Sequence, residues 1–192
     1  MTVSMRVMSA GGCYKYLLKS IAAGDGDRSL SASLTRYYAE AANPPGFWLG
    51  QGLASLGHGE LAEGQVWEAL MFSAHYKLDN LCIAVDVNGL QIDGATADVM
   101  NTAPIDAKFE AFGCAVIWID GHDYNALEEA FKAFHANKGT GKPTAILMKT
   151  VKGKDISFME NNAGWHGKAP NDDELARGLE ELAAIRKQIE EA

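Results

Sequence analysis

The sequence has no long hydrophobic run and little cysteine. No apolar stretch approaches the roughly 18 residues of a membrane-spanning helix, so we expect no membrane association. The three cysteines are odd in number and widely spaced; Cys82 and Cys114 lie inside apolar runs and are expected to be buried free thiols. Because the start carries no basic-then-apolar signal pattern, we expect a cytoplasmic protein.

Basic residues are also scarce, with 17 Lys and Arg against 25 Asp and Glu. The charge is distributed unevenly along the chain. Residues 1–57 hold five basic and three acidic residues, a charge of +2, so the remaining residues carry −10 to give the net charge of −8. The acidic part argues against nonspecific nucleic-acid binding, so we expect no nucleic-acid partner there. Such a shift indicates two origins or two partners for the two segments.

Helical and strand patterns alternate from residue 65 onward. Strands that are apolar throughout and separated by helices predict an α/β fold, a three-layer parallel sheet with helices on both faces. The last segment, 172–192, has Leu175, Leu179, Leu182 and Ile185 on one stripe and predicts an amphipathic helix. The other predicted elements are strands at 81–87, 114–119 and 144–148 and helices at 66–78, 109–112 and 127–134.

Residues 1–57 read differently and predict a small appendage. A strand is predicted at 2–8 and helices at 14–23 and 33–42, before Asn43-Pro44-Pro45-Gly46 breaks the chain. Residues 47–57 carry too much glycine for a buried strand, so no strand is expected to lead into the turn that follows.

Gly57-His58-Gly59 and Asn88-Gly89-Leu90 form a pair of turns about thirty residues apart, separated by a helix and an apolar strand. In an α/β sheet, ligands bind beyond the carboxyl ends of the strands. A Gly-x-Gly turn lets the backbone approach a phosphate, and an amide oxygen with a nearby carbonyl can hold magnesium. The pair predicts a site for a diphosphate and a metal ion.

Residues 57 to about 173 resemble the N-terminal, thiamine-diphosphate-binding region of transketolases, most closely the form whose two halves are separate subunits. The motifs that carry this resemblance are Gly59-Glu60-Leu61-Ala62-Glu63-Gly64-Gln65-Val66-Trp67-Glu68-Ala69, Ala74-His75-Tyr76-Lys77-Leu78-Asp79-Asn80-Leu81, Val87-Asn88-Gly89-Leu90-Gln91-Ile92-Asp93-Gly94, Ile119-Asp120-Gly121-His122-Asp123, Lys149-Thr150-Val151-Lys152-Gly153-Lys154 and Gly164-Trp165-His166-Gly167-Lys168-Ala169-Pro170.

The resemblance implies the thiamine-diphosphate-binding fold, here truncated at its N-terminal side. It also implies a transferase that moves a two-carbon ketol unit between sugar phosphates, as in the pentose phosphate pathway, with thiamine diphosphate and Mg²⁺ as cofactors. The resemblance assigns cofactor binding to Gly57, Gly59, Glu60, Asn88, Ile92 and His166, and metal binding to His58, Asn88 and Leu90. It assigns catalysis to His166 and Glu63, and it places Glu63 near a dimer contact as well.

The sequence departs from the family pattern at two places. His58 stands where the motif has an aspartate, and an imidazole is a poor magnesium ligand, so cofactor and metal binding should both be weakened. The upstream family region and the pyrimidine-binding half do not appear in the chain. We therefore expect a partial subunit, inactive alone, that forms a homo-oligomer and needs a partner, a C-terminal transketolase subunit.

Residues 1–57 resemble the extreme N-terminus of actinobacterial conjugative relaxases, which attack DNA with tyrosines and a histidine-bound metal. The likeness rests on segments 9–16, 34–40 and 44–50, with Tyr14 or Tyr16 and Tyr37 or Tyr38 at the tyrosine positions. The domain prediction is therefore a fusion, a relaxase-like fragment at 1–57 joined to a partial transketolase-like region at 58–192. The alternatives to the transketolase function are a DNA-nicking relaxase fragment and a fusion without function.

Overall fold

Strands and helices alternate along residues 52–191, the part of the chain that the structure, a computed structural model, describes. The strands are β1 (Gly52–Gly57), β2 (Leu81–Val87), β3 (Leu90–Gln91), β4 (Gly94–Ala95), β5 (Ala115–Asp120) and β6 (Thr144–Lys149). The helices are α1 (Gly64–His75), α2 (Thr96–Val99), α3 (Ile105–Ala111), α4 (Tyr124–Ala136) and α5 (Asp172–Glu190), with 3₁₀ helices at His58–Ala62 and Ala163–Trp165. The elements and tyrosines predicted before residue 52 lie outside the described residues, as does Cys13.

The main sheet is parallel and has the strand order β1-β2-β6-β5. The register places Gly57 opposite Asp86 and Asp86 opposite Met148, so that the carboxyl ends of β1, β2 and β6 lie side by side. The short strands β3 and β4 form a separate antiparallel pair just after β2. The parallel α/β sheet predicted from the apolar runs is confirmed.

Helices cover both faces of this sheet, which explains why its central strands are apolar throughout. Alternate residues of β2 belong to different clusters: Leu81, Ile83 and Val85 pack with residues of α1 and α3, whereas Cys82 packs with residues of α4. Since successive side chains of a strand point to opposite faces, each face of β2 is buried under its own helices.

The expectation that residues 47–57 contain no strand is wrong, because β1 spans Gly52–Gly57 and pairs with β2 along its whole length. Its glycines stand at the two ends of the strand, while Ala54 and Leu56 in between are buried. Glycine weakens a strand mainly in its interior, where a packing side chain is lost. The strand that leads into the glycine turn is therefore present.

The helix predicted at the end of the chain is confirmed as α5, but it packs through a different face. Asn171 accepts a hydrogen bond from the Glu174 N–H and starts the helix. Of the predicted apolar stripe, Leu175, Leu179 and Leu182 are 48%, 58% and 46% exposed. The inward face consists of Glu174, Gly178, Glu181 and Ile185.

Gly178 is the buried residue of α5 and lies against the loop before the helix. A β-carbon there would lie 3.6 Å from Ile156 Cδ1 and 3.8 Å from Phe158 Cζ. Contact at a glycine lets the loop before α5 pack against the helix backbone, and the leucines are turned away from that loop.

Both described cysteines are buried and free, as predicted, and burial raises the pKa of each thiol to about 12. Such thiols stay protonated and unreactive at neutral pH. Within residues 52–191 no helix has the length and apolar character needed to cross a bilayer.

Candidate functional site

Two neighbouring turns form the candidate site at the carboxyl edge of the sheet. The glycine turn, residues 57–59, follows β1 and runs into the 3₁₀ helix His58–Ala62. The asparagine turn, residues 88–90, follows β2 directly. Because β1 and β2 are parallel and in register, both turns emerge at the same edge, where ligands of α/β folds bind.

A hydrogen bond across 31 residues joins the two turns. The Gly89 N–H donates to His58 Nδ1 at 2.8 Å. A ring nitrogen that accepts a hydrogen bond carries no proton, so the neutral ring of His58 has its proton on Nε2. The imidazole is only 8% exposed, and this burial lowers its pKa, although the nearby Asp86 carboxylate opposes the shift. Burial thus favours the neutral ring that this hydrogen bond requires.

Asp86 holds the asparagine turn in place, a role that sequence reasoning did not assign. Its Oδ2 accepts a hydrogen bond from Asn88 Nδ2 at 3.1 Å, and its Oδ1 accepts one from the Thr150 hydroxyl. Asn88 Oδ1 in turn accepts from the Leu90 N–H at 2.9 Å. The available signal was a single carboxylate near the end of an otherwise apolar strand, two residues before the amide of Asn88.

Glu60, predicted to bind the cofactor, contacts the glycine turn itself. Its carboxylate accepts a hydrogen bond from the Gly57 N–H at 2.6 Å. Gly59 lies against the strand that follows the asparagine turn, since a β-carbon there would be 3.0 Å from Gln91 Cβ. A side chain at Gly59 would require Gln91 to shift by a few tenths of an ångström, so glycine lets the two turns approach closely.

The side-chain donors of this site do not suit a tightly held magnesium ion. Magnesium prefers an octahedron of oxygens, yet position 58 offers a nitrogen that already accepts the Gly89 hydrogen bond. Both Asp86 oxygens accept hydrogen bonds from protein groups, and Asn88 Oδ1 already accepts one. Among the residues described, no three His, Cys, Asp or Glu side chains are grouped to hold a metal ion.

Ile92 and Glu63 border the turns without taking part in these hydrogen bonds. Ile92, between β3 and β4, is 63% exposed, which leaves an apolar side chain uncovered next to the asparagine turn. Glu63 is exposed between the 3₁₀ helix and α1. The first suits contact with an apolar ring, and the second suits contact with a partner.

His166 is exposed and lies in the long loop between β6 and α5. The loop is braced by the Trp165 indole N–H, which donates to the Phe158 carbonyl at 2.8 Å. Within residues 52–191 no hydrogen bond or ring contact joins the His166 side chain to either turn. Its predicted role at the cofactor and substrate therefore stays a prediction.

The same loop is tied to α5 and to the end of β5. The Glu181 carboxylate accepts from both the Ser157 N–H and the Ser157 hydroxyl, each at 2.6 Å. His122, after β5, accepts a hydrogen bond from the Val151 N–H through Nε2 at 2.8 Å. The bond to His122 fixes the beginning of the loop at Val151, next to Thr150, whose hydroxyl donates to Asp86.

Comparison with known proteins relates this chain to the thiamine-diphosphate-binding domain of transketolases. The family described as "Transketolase, thiamine diphosphate binding domain" matches residues 28–187. An apulose-4-phosphate transketolase subunit of Actinobacillus succinogenes is 44% identical over 126 residues, which is 66% of this chain and 45% of that protein. A 6-deoxy-6-sulfo-D-fructose transketolase subunit of Clostridium sp. (strain MSTE9) is 41% identical over 111 residues, 58% of this chain and 40% of that protein.

A solved structure has the same fold. The crystal structure of transketolase from Campylobacter jejuni matches with a TM-score of 0.61 and 31% identity, covering 70% of this chain and 21% of that one. The chain thus spans less than half the length of the relatives named here.

The family match begins at residue 28, inside the segment 1–57 that was predicted to be relaxase-like. The comparisons give the relaxase resemblance no support, and the proposed join at residue 57 stays untested.

Proposed function

The chain belongs to the transketolase family through its thiamine-diphosphate-binding domain, and we propose that it serves as the cofactor-binding part of an enzyme that transfers a two-carbon ketol unit between sugar phosphates. The observation that supports this most directly is the pair of turns at the carboxyl ends of β1 and β2, held side by side by the His58–Gly89 hydrogen bond. Two of its relatives are named as transketolase subunits, and the chain covers less than half of each.

We propose that the glycine turn holds the diphosphate of thiamine diphosphate. Gly59 lies close to Gln91, so that a β-carbon there would require Gln91 to shift by a few tenths of an ångström, and the missing side chain keeps the backbone of the turn accessible to a phosphate. Glu60 holds this turn through the Gly57 N–H. The exposed Ile92 would pack against the cofactor rings, with apolar contact as the source of affinity.

Magnesium is the weaker part of the proposed site. With an imidazole at position 58, the ion would depend on the neutral oxygens of Asn88 and Leu90 and on the diphosphate itself. We propose that Asn88 and Leu90 contribute to such binding and that His58 contributes little, because its Nδ1 is engaged with the Gly89 N–H.

When bound, thiamine diphosphate supplies the carbanion that carries a ketol unit. We assign to His166 the contact with the diphosphate and the sugar, and to Glu63 the contact with a partner chain. Both side chains are exposed, as groups that meet a ligand or a partner should be. The partner that we propose is a C-terminal transketolase subunit, and the assembly would hold two copies of this chain in the cytoplasm.

Titration of the purified full chain with thiamine diphosphate, with and without Mg²⁺, tests the cofactor site. The expected result is saturable quenching of tryptophan fluorescence and a matching rise in melting temperature. Gly59→Ala should weaken the binding at least tenfold, about 1.4 kcal/mol, because its new methyl group meets Gln91.

Gly64→Ala is the matched control. A β-carbon at Gly64, the first residue of α1, meets nothing within 4 Å, so this variant should bind like the parent. Ketol transfer should appear only when a complementary subunit is added. A cooperatively melting chain with no saturable binding would contradict the proposed function and leave only common ancestry.

A further inference from the structure

A protein hydrogen bond joins the two turns of the candidate site directly. The His58 imidazole bridges from the glycine turn to the asparagine turn through the 2.8 Å bond from the Gly89 N–H. This side chain is more than nine-tenths buried, so water competes little for the bond.

A second set of bonds fixes the asparagine turn from the other side. Asp86 connects Asn88 to Thr150 at the end of β6, and Asn88 connects to the Leu90 N–H. The β1–β2 and β2–β6 pairings carry these groups on adjacent parallel strands. The asparagine turn is therefore anchored to β1 through His58 and to β6 through Asp86.

We propose that His58 takes over the structural task of a divalent ion, so that the two turns of this site assemble in the metal-free protein. A carboxylate at position 58 would need a bridging cation to reach the oxygens of the asparagine turn, whereas the neutral imidazole accepts directly from its backbone. This inference rests on the proposed function only in taking the two turns as the walls of the cofactor site. Magnesium then affects the charge of a bound ligand and not the assembly of the site.

Hydrogen exchange of the Gly89 amide tests the bond directly in the ¹⁵N-labelled full chain. The Gly89 N–H should be protected to the same degree in EDTA and in millimolar MgCl₂. His58→Ala should speed its exchange at least tenfold, and His58→Asn, whose Oδ1 can accept at about the same place, should retain part of the protection.

His122→Ala is the matched control, because His122 also accepts a backbone N–H at 2.8 Å across 29 residues but is exposed. It should leave Gly89 exchange unchanged. Protection of Gly89 that appears only with Mg²⁺, or that survives in His58→Ala, would overturn the proposal.

Melting curves with and without Mg²⁺ keep the proposal testable if His58→Ala does not fold. The parent chain should shift by less than about 1 °C. His58→Asp, which restores an oxygen ligand and loses the imidazole bridge, should melt about 3–6 °C higher at an ion concentration about ten times its Kd. A saturable shift of the parent as large as that of His58→Asp would refute the idea.

No thiamine diphosphate enters either experiment. Failure of cofactor binding would therefore leave this result standing, and a metal-dependent site would leave the proposed function standing.

Discussion

Residues 52–95 and residues 150–190 each present candidate ligand-binding side chains, but different forces hold the two regions. In the first, parallel strand register brings the turns together, and partly buried hydrogen bonds of His58 and Asp86 join them. In the second, a loop without sheet pairing rests on α5 through exposed contacts such as that of Ser157 with Glu181. The first region is thus built for a fixed geometry.

The difference shows where free energy is concentrated. A hydrogen bond shielded from water costs much to break, because its partners are left unpaired, whereas an exposed one is replaced by water. The candidate residues of the first region should therefore be preorganised, while His166 in the second depends on weaker contacts or on a ligand for its position.

The largest effect is expected from Asp86→Ala, which should break the rigid region. Removing this carboxylate leaves the Thr150 hydroxyl and the Asn88 amide without their acceptor, at a cost of about 2–3 kcal/mol in the free energy of unfolding. Urea unfolding with linear extrapolation measures the loss.

Asp120→Ala is the control for that change. Asp120 lies at the end of β5 much as Asp86 lies near the end of β2, but it is exposed, and its carboxylate accepts only from the His122 N–H, at 2.9 Å, among the hydrogen bonds described. Its loss should cost about 0.5 kcal/mol. Equal losses for the two aspartates would show that the two regions do not differ in the way described.

A smaller effect of opposite sign is expected in the second region from Gly178→Ala. The new β-carbon would make ordinary van der Waals contacts with Ile156 and Phe158. Alanine also has less conformational freedom than glycine in the unfolded chain, so less entropy is lost when the helix forms. The variant should gain about 0.5–1 kcal/mol in the free energy of unfolding. The same urea measurement checks it.

Gly153→Ala in the same loop should act in the other direction. Gly153 has φ of +67°, and a β-carbon there would lie 2.6 Å from the Met159 carbonyl oxygen. If both alanine variants were destabilising, the packing of α5 on the loop would be tighter than the structure indicates.

The smallest effect is the pH response of the loop at Glu181. The Ser157 hydroxyl, and next the Ser157 N–H, lower the pKa of this carboxyl below the usual value of 4.5. A carboxyl with a lowered pKa in the folded state stabilises that state above its unfolded pKa, and the contribution is lost as the pH falls through the folded value. The protection factor of the Ser157 amide, which is its intrinsic exchange rate at each pH divided by the observed rate, should fall below pH 4.5 when NMR follows it from neutral to acidic pH.

Glu181→Gln should remove most of that pH response, and Glu180→Gln, the neighbouring exposed glutamate, should leave it intact. An unchanged acid response in Glu181→Gln would show that another group controls the loop. Because the hydrogen bonds between Glu181 and Ser157 are exposed, the melting temperature should hardly move.

Much of the fold was predictable because apolar runs report burial on both faces of a strand. The runs at 81–87, 114–119 and 144–148 became β2, β5 and β6 nearly residue for residue. The strand β1 was missed because glycines at its ends were counted as if they lay inside it. The apolar stripe of α5 was recognised, but the face that packs was decided by a glycine and two glutamates.

For the site, residue types alone indicated the two turns but not their bonds. The glycine turn and the Asn88-Gly89-Leu90 turn were predicted to form one site, since ligands of α/β folds bind beyond the carboxyl ends of the strands. The hydrogen bond between His58 and the Gly89 N–H, and the two that Asp86 accepts, join groups from separate strands and loops. No local pattern contains that information.

Alternating apolar and polar segments along the chain were enough to predict a parallel α/β layer structure, because that structure follows from local spacing and from which side chains avoid water. The family was indicated by the resemblance of the motifs and is shown by the family match. Folding in three dimensions decided what an imidazole does at position 58. The sequence shows only that a histidine stands where the family motif has an aspartate. The parallel register of β1 and β2 brings His58 Nδ1 within 2.8 Å of the Gly89 backbone nitrogen, whose N–H it accepts.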